Sequence, residues 1–149
     1  MADAGIVLPD VVAPVAAYVP AVATPTLVLT SGQLPMRAGA LVATGTVGDG
    51  PGQIRADRAS DLARLCALNA VAAAASVAGG VDAIARVIKV TGFVAADPAF
   101  TAHPSVVNGA SDLLQQIFGD AGVHARSAVG VASLPLGAPV EIELTVELA

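Results

Sequence analysis

Residues 124–147 read HARSAVGVASLPLGAPVEIELTVE, two strand-like runs either side of a turn marked by Pro135, Gly137 and Pro139. Proline withholds a ladder donor and glycine admits turn backbone, so the break falls there. In the second run Val140, Ile142, Leu144 and Val146 alternate with Glu141, Glu143, Thr145 and Glu147. A period of two is that of a strand with one packed face. In the first run Arg126 shares its face with Ala128, Gly130 and Ala132. Three small residues beside an arginine leave room for something to lie against the sheet. If the runs form a hairpin centred near Leu136, Arg126 lies opposite Val146, roughly 16 Å along the strand from Glu141. Such a distance excludes an ion pair within one hairpin, so the two charges would cooperate only across a subunit boundary.

Moving back along the chain, Pro104 suits a first helical turn. Val106, Val107, Ala110, Leu113, Leu114 and Ile117 then mark a buried helix face that ends at Gly119. Residues 84–95, IARVIKVTGFVA, alternate and are rich in β-branched side chains, which predicts a strand. Residues 53–77 carry Ala59, Leu62, Cys66, Ala70 and Ala73 at spacings of three and four, a helix closed by Gly79 and Gly80. Two further strands are expected at 23–31 and 40–46, with a short extra strand near Tyr18. The order β-β-α-β-α-β-β predicts an α+β sandwich, helices on one face of a largely antiparallel sheet. No fixed-period repeat or dividing linker occurs, so residues 1–149 read as a single domain.

Composition limits the function. Hydrophobic residues make up 55% of the 149 and aromatics only 3%, so the core is built from small side chains and helices can approach the sheet closely. So apolar a domain is expected to hide surface in a partner, and self-association is the first inference. The net charge is −5, and the seven basic residues are scattered without a stacking platform, which disfavours nucleic acid. A single cysteine, Cys66, forms no internal disulfide, suits the cytoplasm, and reads as a small buried hydrophobe. The opening MADAGIVLPD has an acid and no base, unlike a signal peptide. The longest apolar run, 70–78, is far short of the roughly 20 residues of a membrane span. A soluble cytoplasmic protein is expected.

The polar residues leave alternatives open. His103 and His124 lack companions at metal-ligand spacing, and HExxH, CxxC and GxSxG are all absent. No metal is expected. VGDGPGQ lacks the Lys-Ser/Thr ending of a phosphate loop and reads as a connector. Asn108, early in a helix, is either an exposed or capping amide or part of a site. Ser31 and Gly32 follow a strand directly, where backbone N–H groups can face an anion. Glu143 and Glu147 read as solvent-facing; Glu141 is either their equal or something more.

Four segments, LTSGQLP, VIKVTGFV, VVNGASDLLQQIFG and ARSAVGVASLPLGAPVEIE, closely resemble the RidA family, the reactive intermediate deaminases. The resemblance spans roughly residues 11–148. It implies a chorismate-mutase-like fold, a homotrimer with ligand sites in clefts between subunits, and cofactor-free hydrolysis of 2-imino acids to 2-oxo acids and ammonia. By position it implies that Arg126 grips the substrate carboxylate and Glu141 handles the attacking water. Ser31, Gly32, Asn108 and Tyr18 would line the ligand. Three departures mark a divergent branch: VAAYVPAV where Gly-Pro usually precedes the tyrosine, Ala128 where cysteine is frequent, and a longer loop at 96–104. The alternatives are a non-catalytic binder of small carboxylates and, less favoured, a ribonuclease or translation inhibitor.

Overall fold

The computed structural model describes residues 5–14 and 16–149; residues 1–4 of the opening segment lie outside them. Proline decides the first element. Pro25 cannot donate to a ladder, so the strand expected at 23–31 begins only after it, as β2 (Leu27–Thr30), while the short extra strand expected near Tyr18 falls three residues later, as β1 (Ala21–Ala23). The Thr24 hydroxyl accepts the Leu27 N–H at 2.9 Å and closes the turn between them. The strand expected at 40–46 shrinks to β4 (Ala40–Leu41), paired with β3 (Met36–Arg37). Beyond it the backbone bonds to loops instead, Val42 N–H to Pro35 O and Gly45 N–H to Gly137 O, so no ladder can continue.

The two helices are α1 (Ala56–Ala78) and α2 (His103–Phe118), close to their expected bounds. Gly79, at φ 92°, turns the chain out of α1 through left-handed backbone that glycine enters without strain. Ala59, Ala63, Ala67, Ala70 and Ala74 of α1 are fully buried, as are Val106, Val107 and Ala110 of α2. The small side chains bring the helices very close. A Cβ on Gly109 of α2 would collide with the backbone oxygen of Ser60 in α1. α1 is also long and apolar enough to cross a membrane, with a mean hydropathy of 1.4 over its 18-residue window. Yet 61% of that window is buried within the domain, so it serves as the core helix.

Strands β5 (Ile84–Ala95), β6 (Ala125–Val131) and β7 (Val140–Leu148) complete a five-stranded sheet of order β1-β2-β7-β5-β6. Here the expected closing hairpin fails. β6 and β7 do not pair; β5 lies between them, antiparallel to β7 and parallel to β6. Parallel neighbours need a crossover, and α2 supplies it between β5 and β6. Residues 132–139 then carry the chain back past β5, anchored where Ala95 N–H bonds to Pro139 O. Arg126 therefore sits opposite Val90, not Val146, and Glu141 opposite Phe93.

The helices cover the face that carries Val28, Val87, Val90, Val94, Val140, Ile142, Leu144 and Val146, all buried. Each such side chain contributes about 1.5–3 kcal/mol. The other face carries the glutamate row of β7, as its alternation predicts, and no helix or strand among the described residues covers it.

Candidate functional site

Register puts the two singled-out charges on opposite faces of the sheet. Val90 is a core residue, so its partner Arg126 points to the helix side; Phe93 has the other parity, so Glu141 points to the uncovered side. Three residues along β5 and two strand spacings across separate their Cα atoms by about 14 Å. Within one chain the two never meet.

On the uncovered side, Glu141 lies directly beside Gly32. A Cβ on Gly32 would stand 2.6 Å from the Glu141 Cδ and 2.9 Å from its Cγ, so only glycine leaves space for this carboxyl. Gln33 exchanges both backbone bonds with Ile142, which fixes the loop against β7. Ser31 donates its hydroxyl to Val19 O at 2.6 Å and its N–H to Pro20 O at 2.8 Å, tying down the segment that carries Tyr18. Tyr18 and Gly32 line one small crevice of about 30 Å³. Buried Asn69 of α1 donates to Leu34 O and Met36 O at 3.1 and 3.0 Å and holds the loop from behind. Half-buried, Glu141 has its pKa raised by desolvation first and by the Glu143 charge second. Its proton is held more tightly than an ordinary glutamate's, which moves it toward general acid–base work.

On the helix side, Arg126 does not lie on an open sheet. The start of α2 fills the space that Ala128 and Gly130 provide, with His103 seated on Gly130 and Val107 on Gly92. This corrects the expectation that the small residues make room for a ligand. The guanidinium is instead bonded to α2: Nη1 donates to Asn108 Oδ1 at 2.8 Å and to Ser111 Oγ at 3.1 Å, and Nη2 to Pro104 O at 3.3 Å. Asn108 is thus an arginine partner, not a helix cap. Ser111 Oγ also lies 2.9 Å from His124 Nε2, and His124 Nδ1 lies against Gly122 O at 2.6 Å. These groups line an open pocket of about 290 Å³ with Asp112 and Gln115.

So the structure brings Glu141, Gly32, Ser31 and Tyr18 to one side, and Arg126 and Asn108 to the other. Ser111 has no mark in the sequence reading, and His124 enters it only as a histidine without metal-ligand companions. Their signal was spacing: Ser111 follows Asn108 by three on a helix, and His124 precedes Arg126 by two along the chain. Among the described residues no three His, Cys, Asp or Glu side chains gather at metal distance.

Two helices against one face of a mostly antiparallel five-stranded sheet define an α+β protein of the chorismate-mutase-like class. Residues 1–148 match the family described as "YjgF/chorismate mutase-like, putative endoribonuclease". The chain belongs to this YjgF/Rid family, of which RidA is a member type. It is 41% identical to Protein TCP17 of Trypanosoma cruzi, over 97% of this chain and 89% of that protein. A crystal structure described as a "putative endoribonuclease" from Shewanella oneidensis aligns at a TM-score of 0.91 and 31% identity, covering 99% of this chain and 95% of the other. TdcF of Escherichia coli, solved with bound serine, aligns at 0.61 and 27% identity, covering 95% of this chain and 94% of the other.

Proposed function

We propose that this chain is a cofactor-independent deaminase that hydrolyses reactive 2-imino acids to 2-oxo acids and ammonia. It acts as a homotrimer of single domains in the cytoplasm, with each site in a cleft between subunits. The observation that carries this reading is the splitting of the two half-sites. Arg126 and Glu141 are both built up by dedicated partners, yet they face away from each other across one sheet. A neighbouring copy that supplies Glu141 to the Arg126 pocket makes one working site from two half-sites. The uncovered sheet face supports assembly, because Val22, Leu29 and Val129 there are 57%, 47% and 43% exposed.

In the cleft, the guanidinium grips the substrate carboxylate and fixes the imine carbon in place. Water adds to that carbon while Glu141 accepts its proton. Glu141 then gives that proton to nitrogen, completing a carbinolamine, and relays the carbinolamine hydroxyl's proton to the amine, so that the C–N bond breaks, the C=O bond forms and ammonia leaves. An imine is already electrophilic, so position and one proton relay supply the acceleration. That TdcF was solved with serine, a small carboxylate, agrees with the class of ligand. The ribonuclease description of some relatives fits this chain poorly: at a net charge of −5 it repels a phosphate backbone.

An amino-acid oxidase that generates the imine, followed by imine decay, tests the reading. Glu141→Gln should slow hydrolysis roughly 10²-fold while 2-oxo acid binding persists. Arg126→Lys should lose binding, because an ammonium lacks the two-pronged contact. A parent that binds 2-oxo acid without accelerating imine decay would be a carboxylate binder, and an unchanged rate in Glu141→Gln would remove Glu141 from the chemistry. Light scattering that finds a monomer at assay concentration would defeat the shared cleft.

A further inference from the structure

We propose that Ser111 and His124 are positioning residues that orient the Arg126 guanidinium and thereby restrict its pocket to a single carboxylate. The inference rests on the reading of Arg126 as the carboxylate grip. Arg126, Ser111, His124 and Gly122 O form a line of hydrogen bonds at 3.1, 2.9 and 2.6 Å. For a neutral imidazole its sense is fixed. Arginine can only donate and a carbonyl can only accept. The Ser111 hydroxyl therefore accepts from Nη1 and donates to His124 Nε2, and the histidine carries its hydrogen on Nδ1, facing Gly122 O.

Both ends of this line are held. Ser111 is 8% exposed and has little water to turn to. Gly122 is pressed on α2, where a Cβ would come within 2.7 Å of Leu114 C and 2.9 Å of Gln115 Cα, so its carbonyl has a fixed place. The line thus works as a strut from the α2 backbone to one nitrogen of the guanidinium.

Donor counting gives the consequence. A guanidinium has five N–H groups. Asn108 and Ser111 use both on Nη1, and Pro104 O uses one on Nη2. The Nε–H and one Nη2–H remain, which suits the two oxygens of one carboxylate. A phosphate brings a third oxygen with no donor from this side chain, and a second negative charge beside Asp112, which lines the same pocket.

Calorimetric titration of the full chain with pyruvate and with inorganic phosphate tests this. The parent should bind pyruvate at least about tenfold more tightly than phosphate. Ser111→Ala and His124→Leu should each weaken pyruvate binding about tenfold and narrow its preference over phosphate. His124→Gln, whose amide oxygen can still accept from Ser111, should restore both. Should Ser111→Ala fail to fold, the two His124 variants carry the comparison. A purely structural role would lower thermal stability and weaken both ligands alike, leaving their ratio fixed; that result, or pyruvate binding unmoved by His124→Leu, overturns the proposal. A parent protein that binds neither ligand would instead remove the carboxylate grip itself, and the proposal with it.

Discussion

Replacing Gly32 with alanine isolates the contact between the Ser31–Gly32 pair and Glu141. The added Cβ would stand 2.6 Å from the Glu141 Cδ, where ordinary contact begins at 3.4 Å, and its carboxylate oxygen is closer still. The carboxyl must retreat by at least about 1 Å, and a misplacement of that size costs a catalytic group on the order of 10²-fold in rate. The fold should tolerate the change, because what moves is the end of a flexible side chain and Gly32 does not require left-handed backbone. Restricting the unfolded chain adds about 0.4–1 kcal/mol of stability, worth up to roughly 2–4 °C for a domain of this size. The oxidase-coupled imine assay, paired with thermal unfolding, should find the rate lowered about a hundredfold and the midpoint unchanged or slightly raised. A fully active Gly32→Ala protein would refute the assignment of Glu141 to the chemistry. A protein that unfolds would refute the claim that only a side-chain tip yields.

Two other substitutions probe different forces. The folded pKa of Glu141 is raised above its unfolded value, so ionisation opposes folding: the cost is absent below the unfolded pKa, grows as pH rises through the folded one, and is complete above it. Glu141→Gln should therefore unfold a few °C higher than the parent at neutral pH, with the difference gone in acid. The shift stays small because the half-buried carboxyl is still screened by water. Gly109→Ala meets the Ser60 backbone, which cannot step aside as a side chain does, and should cost about 1–3 kcal/mol or more in denaturant titrations. A neutral result would mean that the α1–α2 approach is loose.

Elements were legible in the sequence wherever alternation or punctuation was strong. Residues 84–95 declared their strand in full, and Pro104 and Gly119 bracketed α2 within a residue. Pairing was not legible. Alternation says that 125–131 and 140–148 are strands but carries no information on their neighbours, and proximity in sequence suggested a hairpin. The structure places β5 between them because α2, leaving β5 and returning beside it, enforces a parallel neighbour. The error carried into the site. Arg126 looked like a side chain on open sheet, whereas the crossover lays α2 over it. Ser31, Gly32 and Asn108 stood out by their places at a strand end and a helix start, Tyr18 only through family resemblance, and the Gly32–Glu141 contact has no local sequence signal because β7 is brought to that loop by tertiary pairing. Spacing put Ser111 and His124 on the faces of Asn108 and Arg126, but that they bond to each other and to the guanidinium depends on the crossover that lays α2 over β6.

The opposite outlooks of Arg126 and Glu141 make inactivation separable by subunit. On the proposed assembly each cleft draws its arginine from one copy and its glutamate from the next, around a ring of identical contacts. An Arg126→Ala chain still carries a sound glutamate, and a Glu141→Gln chain a sound arginine. Unfolded together, refolded at equal amounts and mixed at random, two inert proteins should yield clefts of which about one in four holds both intact groups. Recovery of about a quarter of the parental rate is then a property of the mixture that neither component has alone.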